Sequence, residues 1–521
     1  MKRYKKANEG IHAPEEVKEK AVRPAGKRGY ARWMGAVAAV LAVVLIAGVA
    51  LWPKQSNVPD PMSLDERRGI GLIPTPKATA RAVTLAAAVY PEMVPCPVDT
   101  DYVVFGILDT DRYYAARREW SESVNSLSSD RDYTGLLDGY LSATAAQFLT
   151  GGENENRVYS PLNIYMALAM LCETTDGESR DQLLNLLGAD SAEEVRALAQ
   201  DLWRDNYRDD GQTASILANS MWLNDIFDCH YVQETLDTLA RDYYASAFSG
   251  EAGSPEYDQA LRDWIDGQTH DLLKDYSKDL ALDSATVLAL VSTLYYQAKW
   301  ANAFDPALTA PDDFHAPGGT VTADFMHKTL EDHYYWTDRF GAVSLSFEDY
   351  DYKMWILLPD EGTSPGELIA DGSAMDFLAI DWYGTGKYDY ETGITTYSWG
   401  GGGHYDIHLS LPKFDISTGI DLIEGLKALG VTDVFDMGAA DFTPLTDLPL
   451  VYVSQVQHAA RVIVEEKKVE AAAYTIIDMP AGAAAPPDDE VYFTVDRPFI
   501  FAITGPSGLP LFTGVVNQPN G

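Results

Sequence analysis

Long β-rich runs crowd the second half of this 521-residue chain. "SATVLALVSTLYYQAKW", "YKMWILLPD", "YDIHLSLPKFDI" and "LVYVSQVQHAARVIVEE" are dense in branched and aromatic residues. Helical patterns come mostly ahead of them. "GYLSATAAQFL" and "IYMALAMLCETT" repeat apolar residues at helical spacing, and "SRDQLLNLLG" is an amphipathic helix closed by Gly188. A later helix, "GIDLIEGLKALG", stops at Gly430. Helices followed by strands, rather than regular βαβ alternation, define an α+β domain running from about residue 136 to 521 with no internal repeat. With 46% apolar residues, a chain of this length buries a substantial core.

The formal charge of −39 is unevenly spread. Residues 1–32 hold 10 Lys/Arg against 4 Glu, so the remainder, with 29 basic and 74 acidic residues, carries about −45. So acidic a body repels nucleic acid and anionic lipid, which excludes a DNA-binding role. The basic tail precedes "WMGAVAAVLAVVLIAGVALW", Trp33–Trp52, a 20-residue stretch without charge and with a tryptophan at each end. Its length and flanks predict a single-pass anchor with a cytoplasmic N-terminus and an exported remainder. A cleaved signal and a secreted product form the alternative, with Gly48 and Ala50 ahead of a cleavage point. Residues 53–135 read as a Pro-rich tether and a mixed region, within which Asp111–Ser126 has helical character. Anchor, acidic exported body and lack of disulfide patterning together point to a bacterial cell-surface protein. The three cysteines, Cys96, Cys172 and Cys229, are read as buried free thiols.

Catalytic motifs are missing. The chain has no HExxH pair or GxxxxGK[ST] phosphate loop, so no catalytic residue, metal or cofactor is assigned. His404 and His408 share one face of a strand, but two imidazoles without a third ligand do not make a metal centre. The run Gly400–Gly403 lacks the helix start that a nucleotide loop requires. The Tyr- and Gly-rich stretch 381–405 reads as an inserted hairpin or surface loop.

One segment near the C-terminus fits two conformations, "VEEKKVEAAAYTIIDMPAGAAAPPDDEVYF", Val464–Phe493. As a strand, it places Val469, Ala471, Ala473, Thr475, Ile477 and Met479 on one small or apolar face. Glu470, Ala472, Tyr474, Ile476 and Asp478 fall on the other. Farther on, Pro486 and Pro487 cannot donate to a ladder, and their small neighbours suit a protease's cleft. The segment can be an exposed loop, or a strand in a sheet.

Separated motifs in order then resemble the serpins, inhibitors of serine and sometimes cysteine proteases. They include "VYSPLNIYMALAML", "ANSMWL", "WIDGQTHDLLKD", "LALVSTLYYQAKWANAFDP", "LSLPKFDI", "VSQVQHAARVIVEE" and "VDRPFIFAITGPSGLPLFTGVVNQP", spanning roughly Leu136–Pro519. The resemblance implies three β-sheets with eight or nine helices, a monomer, and an exposed loop that serves as protease bait. After cleavage, that loop inserts as a new strand in the large sheet, carrying the covalently held protease with it. It also implies a hinge at Glu466, Lys468, Val469, Glu470, Ala471, Ala472, Ala473, Tyr474 and Thr475. The implied sheet-opening cluster is Ser160, Asn163, Ser292 and His458. Asn163 and Ser292 exchange the family's serine and asparagine, Lys468 replaces a hinge glycine, and Trp300 and Phe304 match residues under the sheet's upper end. The reactive bond falls among Gly482, Ala483 and Ala484. Small residues there imply an elastase-like or subtilisin-like serine protease as covalent target. The alternative is a non-inhibitory binding protein whose hinge does not insert.

Overall fold

A serine–proline pair starts the most deeply buried helix among the described residues. Ser160 accepts a hydrogen bond from the Asn163 amide, and Pro161 fills the first turn, where no backbone donor is needed. In the helix that follows, Pro161–Thr174, 12 of 14 residues are buried. The structure is a computed structural model. It describes residues 82–519, except 105–106, 130, 153, 226–229, 285, 380–386, 390–393, 398–399 and 467–489.

Along the chain, the elements that position the site begin with strand β1 (Val83–Ala86) and helix α1 (Thr110–Asn125). Helices α2 (Pro161–Thr174) and α3 (Ala192–Asn206) follow, then strands β2 (Ala214–Asn224) and β3 (Ala245–Gly250). Helix α4 (Pro255–Gln268) leads to β4 (Leu288–Gln297) and the 18-residue β5 (Gly319–Trp336). A hairpin, β6 (Lys387–Asp389) and β7 (Ile394–Tyr397), precedes β8 (Gly400–Pro412). The last strands are β9 (Phe414–Asp421), β10 (Gln457–Val464), β11 (Glu490–Thr494), β12 (Phe499–Thr504) and β13 (Pro510–Val516).

Two ladders lie side by side as the one large sheet that the resemblance implies: β1-β3-β2-β4, with the short Arg208–Asp209 on β2, and the pair β9-β10, with β4 next to β10. A further ladder runs through eleven strands. Within it, Phe340–Ser346, Lys353–Pro359, β12 and β13 are buried almost throughout, whereas β8 and β11 face solvent on one side. β5 joins these two blocks, pairing with both β8 and Phe340–Ser346. Together with the large sheet they give the three sheets that the resemblance implies. Eleven α-helices occur among the described residues rather than eight or nine, and four of them have six residues or fewer.

The stops read from sequence are present: Gly188 and Gly430 adopt φ of 71° and 94°, where an L side chain is strained. Of the three thiols, Cys172 is buried and Cys96 half-buried, both free, and burial pushes the Cys172 thiol up to about 12. Cys229 lies outside the described residues.

The expected single-pass membrane location is corrected. Among the described residues no helix is long and apolar enough to cross a membrane. The longest, α1, has 16 residues and carries Asp111, Arg112, Arg117, Arg118, Glu119 and Glu122. At 1.5 Å per residue it reaches about 24 Å, short of the roughly 30 Å hydrocarbon layer. Trp33–Trp52 itself lies outside the described residues.

Residues 82–135, unassigned by sequence, pack along the large sheet. β1 adds an antiparallel strand to β3, and the Ala88 amide continues the contact to Ser246 Oγ. The Tyr90 ring lies 5.4 Å from that of Trp203 and 5.9 Å from that of Tyr207, which stack on each other at 4.5 Å. Farther on, the Cys96 amide donates to Asp210 O (2.8 Å) and Trp120 Nε1 to Asp210 Oδ2 (2.9 Å). Ser129 and Tyr133 converge on the Asp205 carboxylate, each at 2.6 Å. The segment is thus a strap bound by ladder, rings and charge-assisted hydrogen bonds. Truncating its aromatic anchor, Tyr90→Ala, is expected to cost about 2–3 kcal/mol in urea-monitored unfolding, in line with large-to-small losses at ring clusters.

Candidate functional site: a split sheet and the chain that leaves it

β4 and β10 face each other across the large sheet, and among the described residues no ladder joins them. β4 pairs with β2 from Leu288 to Gln297, and β10 pairs with β9 from Gln457 to Val464. A cavity of about 310 Å³ opens between their ends, lined by Tyr295, Tyr296 and Gln297 on one side and Arg461, Val462 and Ile463 on the other. Along β10 burial alternates: His458, Ala460, Val462 and Val464 are buried, and the residues between are half-exposed. An edge with such alternation accepts another strand in only one facing.

Beneath the seam, the start of α2 touches both halves. On the β10 side, the Ser160 amide donates to His458 Nε2 at 3.1 Å. That bond requires a neutral ring with its proton on Nδ1, and burial lowers the His458 pKa to about 4. On the β4 side, Asn163 Nδ2 donates to Ser292 O at 3.1 Å, and Ser292 Oγ donates to Asn163 Oδ1. The two residues that exchange the family's serine and asparagine are therefore each other's partners. Ser292 Oγ also meets Asn219 Oδ1 (2.7 Å), while Asn219 Nδ2 donates to Tyr243 O (3.0 Å). Asn219 was missed from sequence, although a fully buried amide inside the apolar "ANSMWL" run was a visible anomaly.

The upper end of β10 is held separately. Trp300 Nε1 donates to Glu465 O and the Phe304 amide to Glu466 O, both at 2.9 Å. The Glu466 carboxylate takes Lys413 Nζ at 3.0 Å and Thr309 Oγ1 at 3.0 Å. Burial alone would raise its pKa, but its own amide, Lys413 and Thr309 outweigh that and lower it. Lys328 stands over the Phe304 ring, Nζ 4.4 Å from the centroid, and burial lowers its pKa to about 8. Glu466 is thus a fixed take-off point. The remaining hinge residues, Lys468 to Thr475, and the reactive-bond candidates Gly482, Ala483 and Ala484 lie outside the described residues. The chain is described again from Glu490, where β11 runs parallel to β8.

The other sequence candidates fall elsewhere. His404 and His408 share the solvent face of β8: His404 meets His333 edge-on at 5.4 Å, and His408 stacks on Tyr492 at 4.5 Å. Among the described residues no three His, Cys, Asp or Glu groups are placed to hold a metal. The glycine run beside them has a packing reason. A Cβ on Gly401 would lie 2.7 Å from the Trp336 ring, and one on Gly402 would lie 2.7 Å from the Tyr335 ring.

The model of the family described as Serpin (serine protease inhibitor) matches residues 143–519, and the chain belongs to that family. Among its relatives are Serpin-Z2B of Triticum aestivum and plasminogen activator inhibitor 1 of Sus scrofa. The first is 28% identical over 377 residues, covering 70% of this chain and 90% of the relative. The second is 28% identical over 399 residues, covering 72% and 89%. In fold, the chain is similar to the thermophilic serpin tengpin in its native state (TM-score 0.63, 24% identity, 75% of this chain and 96% of that one). It is similar also to human thyroxine-binding globulin (TM-score 0.62, 20% identity, 74% and 99%).

Neutral His458 has a pH consequence. Its folded pKa, about 4, lies below the 6.5 of a free imidazole, so the unfolded chain binds the extra proton first as pH falls. Stability from this group is complete above pH 6.5 and is lost progressively down to pH 4, by up to about 3 kcal/mol. Urea unfolding between pH 7 and 4.5 should show this loss in the native chain, and His458→Gln should flatten it.

Proposed function

We propose that this protein is a suicide-substrate inhibitor of elastase-like or subtilisin-like serine proteases. The protease serine attacks a backbone carbonyl among Gly482, Ala483 and Ala484, the peptide C–N bond breaks, and the C-terminal fragment leaves as an amine. The N-terminal part stays esterified to the protease and enters the seam between β4 and β10. The observation that carries this reading is that seam: two strands with facing edges, no ladder between them among the described residues, and Glu465 and Glu466 held at its head. An inserted strand supplies the missing backbone partners on both sides. The extracellular setting is taken as secretion, the form compatible with the described helices.

Incubation with an elastase should give a complex that survives boiling in SDS, and sequencing the released peptide should place its N-terminus after Gly482, Ala483 or Ala484. Cleavage without a complex overturns the reading. In the same assay Val469→Arg, which forces a charge onto the inward face of the inserting strand, should leave cleavage intact and abolish most trapping.

The second reading is a binding protein of this fold whose hinge does not insert. Lys468 in place of the hinge glycine, with the branched Val469 after it, favours it. Cleavage that leaves the thermal midpoint unchanged would establish it over the first.

A further inference from the structure

The cavity in the seam, about 310 Å³, has a floor and a mouth of different chemistry. The floor is apolar and buried: Tyr296 of β4 and Val462 of β10, with Ile503 of β12 and Phe512 of β13. Tyr296 also brings a buried hydroxyl without a hydrogen-bond partner among the described residues, an unsatisfied group of the kind that marks an unfilled place. The mouth is half-exposed, with Tyr295 and Gln297 on the β4 side and Arg461 on the β10 side. It is spanned by the segment that follows α4. The His270 ring rests on that of Tyr295, centroids 4.5 Å apart, and the Leu272 carbonyl accepts a long 3.5 Å contact from Arg461 Nη1. Here the seam is bridged from the opposite face to the one that α2 bridges. The rest of the guanidinium is fixed by Asp415, Nε to Oδ1 at 2.9 Å and Nη2 to Oδ2 at 2.7 Å. That leaves Nη1 as the donor at the mouth.

Size and lining select one kind of occupant. An apolar cavity of about 150 Å³ admits a single benzene ring, so this one has room for two fused rings. Two rings and two branched side chains on the floor suit a flat apolar body, and Arg461 Nη1 suits one acceptor at its outer end. A charge fits poorly. Arg461 already pairs with Asp415, Glu465 stands at the rim, and the chain's −39 repels anions. A cation would lose its water against the apolar floor. A short peptide fits less well than a ring compound, because its amide groups need partners along a strand and the cavity spans only residues 295–297 and 461–463.

We propose that this cavity binds an uncharged, planar two-ring aromatic molecule with one hydrogen-bond acceptor, which braces the two sheet halves and holds the seam against a further strand. The bound molecule touches Tyr296 on one side and Val462 on the other, joining halves that no ladder joins among the described residues. It stabilises the native form by mass action. Because an inserting strand needs the same space, strand and ligand exclude each other. An occupied chain is then cut as an ordinary substrate, so the ligand regulates trapping. That last consequence rests on the inhibitory reading, whereas the site itself does not.

The test uses the full chain and Prodan, an uncharged naphthalene ketone whose emission moves to the blue in apolar surroundings. Titration should give a saturable blue shift, and the thermal midpoint should rise with probe concentration. Val462→Phe, which puts a ring into the floor, should weaken binding about tenfold or more. Gln297→Trp, at a half-exposed position that tolerates a large side chain, should do the same by closing the mouth, so a poorly folded floor variant does not decide the matter. With an elastase, Prodan should leave the rate of loop cleavage unchanged and lower the yield of SDS-stable complex in proportion to the fraction of chain occupied. In Gln297→Trp it should change neither. Absence of saturable binding, or equal binding by the native chain and both variants, overturns the proposal. So does a saturated chain that traps the protease as well as the free chain does. A chain that never traps, with or without probe, defeats the inhibitory reading instead. The rise in thermal midpoint, and its loss in Gln297→Trp, then decide the site alone.

Discussion

The Ser160 amide bonded to His458 Nε2 ties one half of the large sheet to the helix that also grips the other half. Three residues on, Asn163 exchanges hydrogen bonds with Ser292 of β4. The start of α2 therefore spans a seam that, among the described residues, no ladder closes. Neutral hydrogen bonds are worth about 0.5–1.5 kcal/mol each, but a buried donor or acceptor left without a partner costs more. A cluster of this kind holds the two halves at a fixed separation, and parting them has a cost set by a few polar groups rather than by a whole ladder. In a native protein a sheet's exposed edges invite pairing. Here a pair of such edges is kept inside the molecule, facing each other over a cavity.

The rest of the architecture holds the two halves from outside. β12 and β13 are buried along their whole length. The strap from β1 to Ser129 fastens only one half, through β3, Trp203, Asp205 and Asp210. The other half is fastened at its head by the contacts from Trp300, Phe304, Lys413 and Thr309 to Glu465 and Glu466. Any movement across the seam must keep both sets of attachments or break one of them.

Much of this was legible in the sequence, and the unevenness has physical causes. The apolar alternation of "LVYVSQVQHAARVIVEE" gave β10, and the helix stops at Gly188 and Gly430 follow from the left-handed backbone that glycine permits. Ser160 and His458 were placed by the family resemblance, through the motifs "VYSPLNIYMALAML" and "VSQVQHAARVIVEE" that contain them. The Asn163–Ser292 exchange was visible only as two departures, since their contact joins positions 129 residues apart. Asn219 and the strap depend on the same kind of distant pairing. β1 is only four residues long, too short to announce itself by periodicity. The apolar run Trp33–Trp52 was read from its length and its flanking tryptophans and basic tail. No helix among the described residues supports the membrane location built on it.

The departure at Lys468 can be weighed against the burial of β10. Buried and half-exposed positions alternate along that strand, and a strand added beside it would face its small side chains inward. In the proposed insertion Val469, Ala471, Ala473 and Thr475 supply that inward face, while Glu470, Ala472 and Tyr474 turn outward. By the same count Lys468 turns outward with Glu470, so its ammonium stays in water and insertion does not bury a charge. What the substitution removes is the backbone freedom of glycine where the chain turns away from Glu466. A non-glycine residue loses that freedom at a cost of about 1 kcal/mol, and only if the turn needs a positive φ. A completed strand contributes several backbone hydrogen bonds on each edge, each worth about 1 kcal/mol. On that comparison, in the proposed insertion the cost at Lys468 is smaller than the gain from the completed strand.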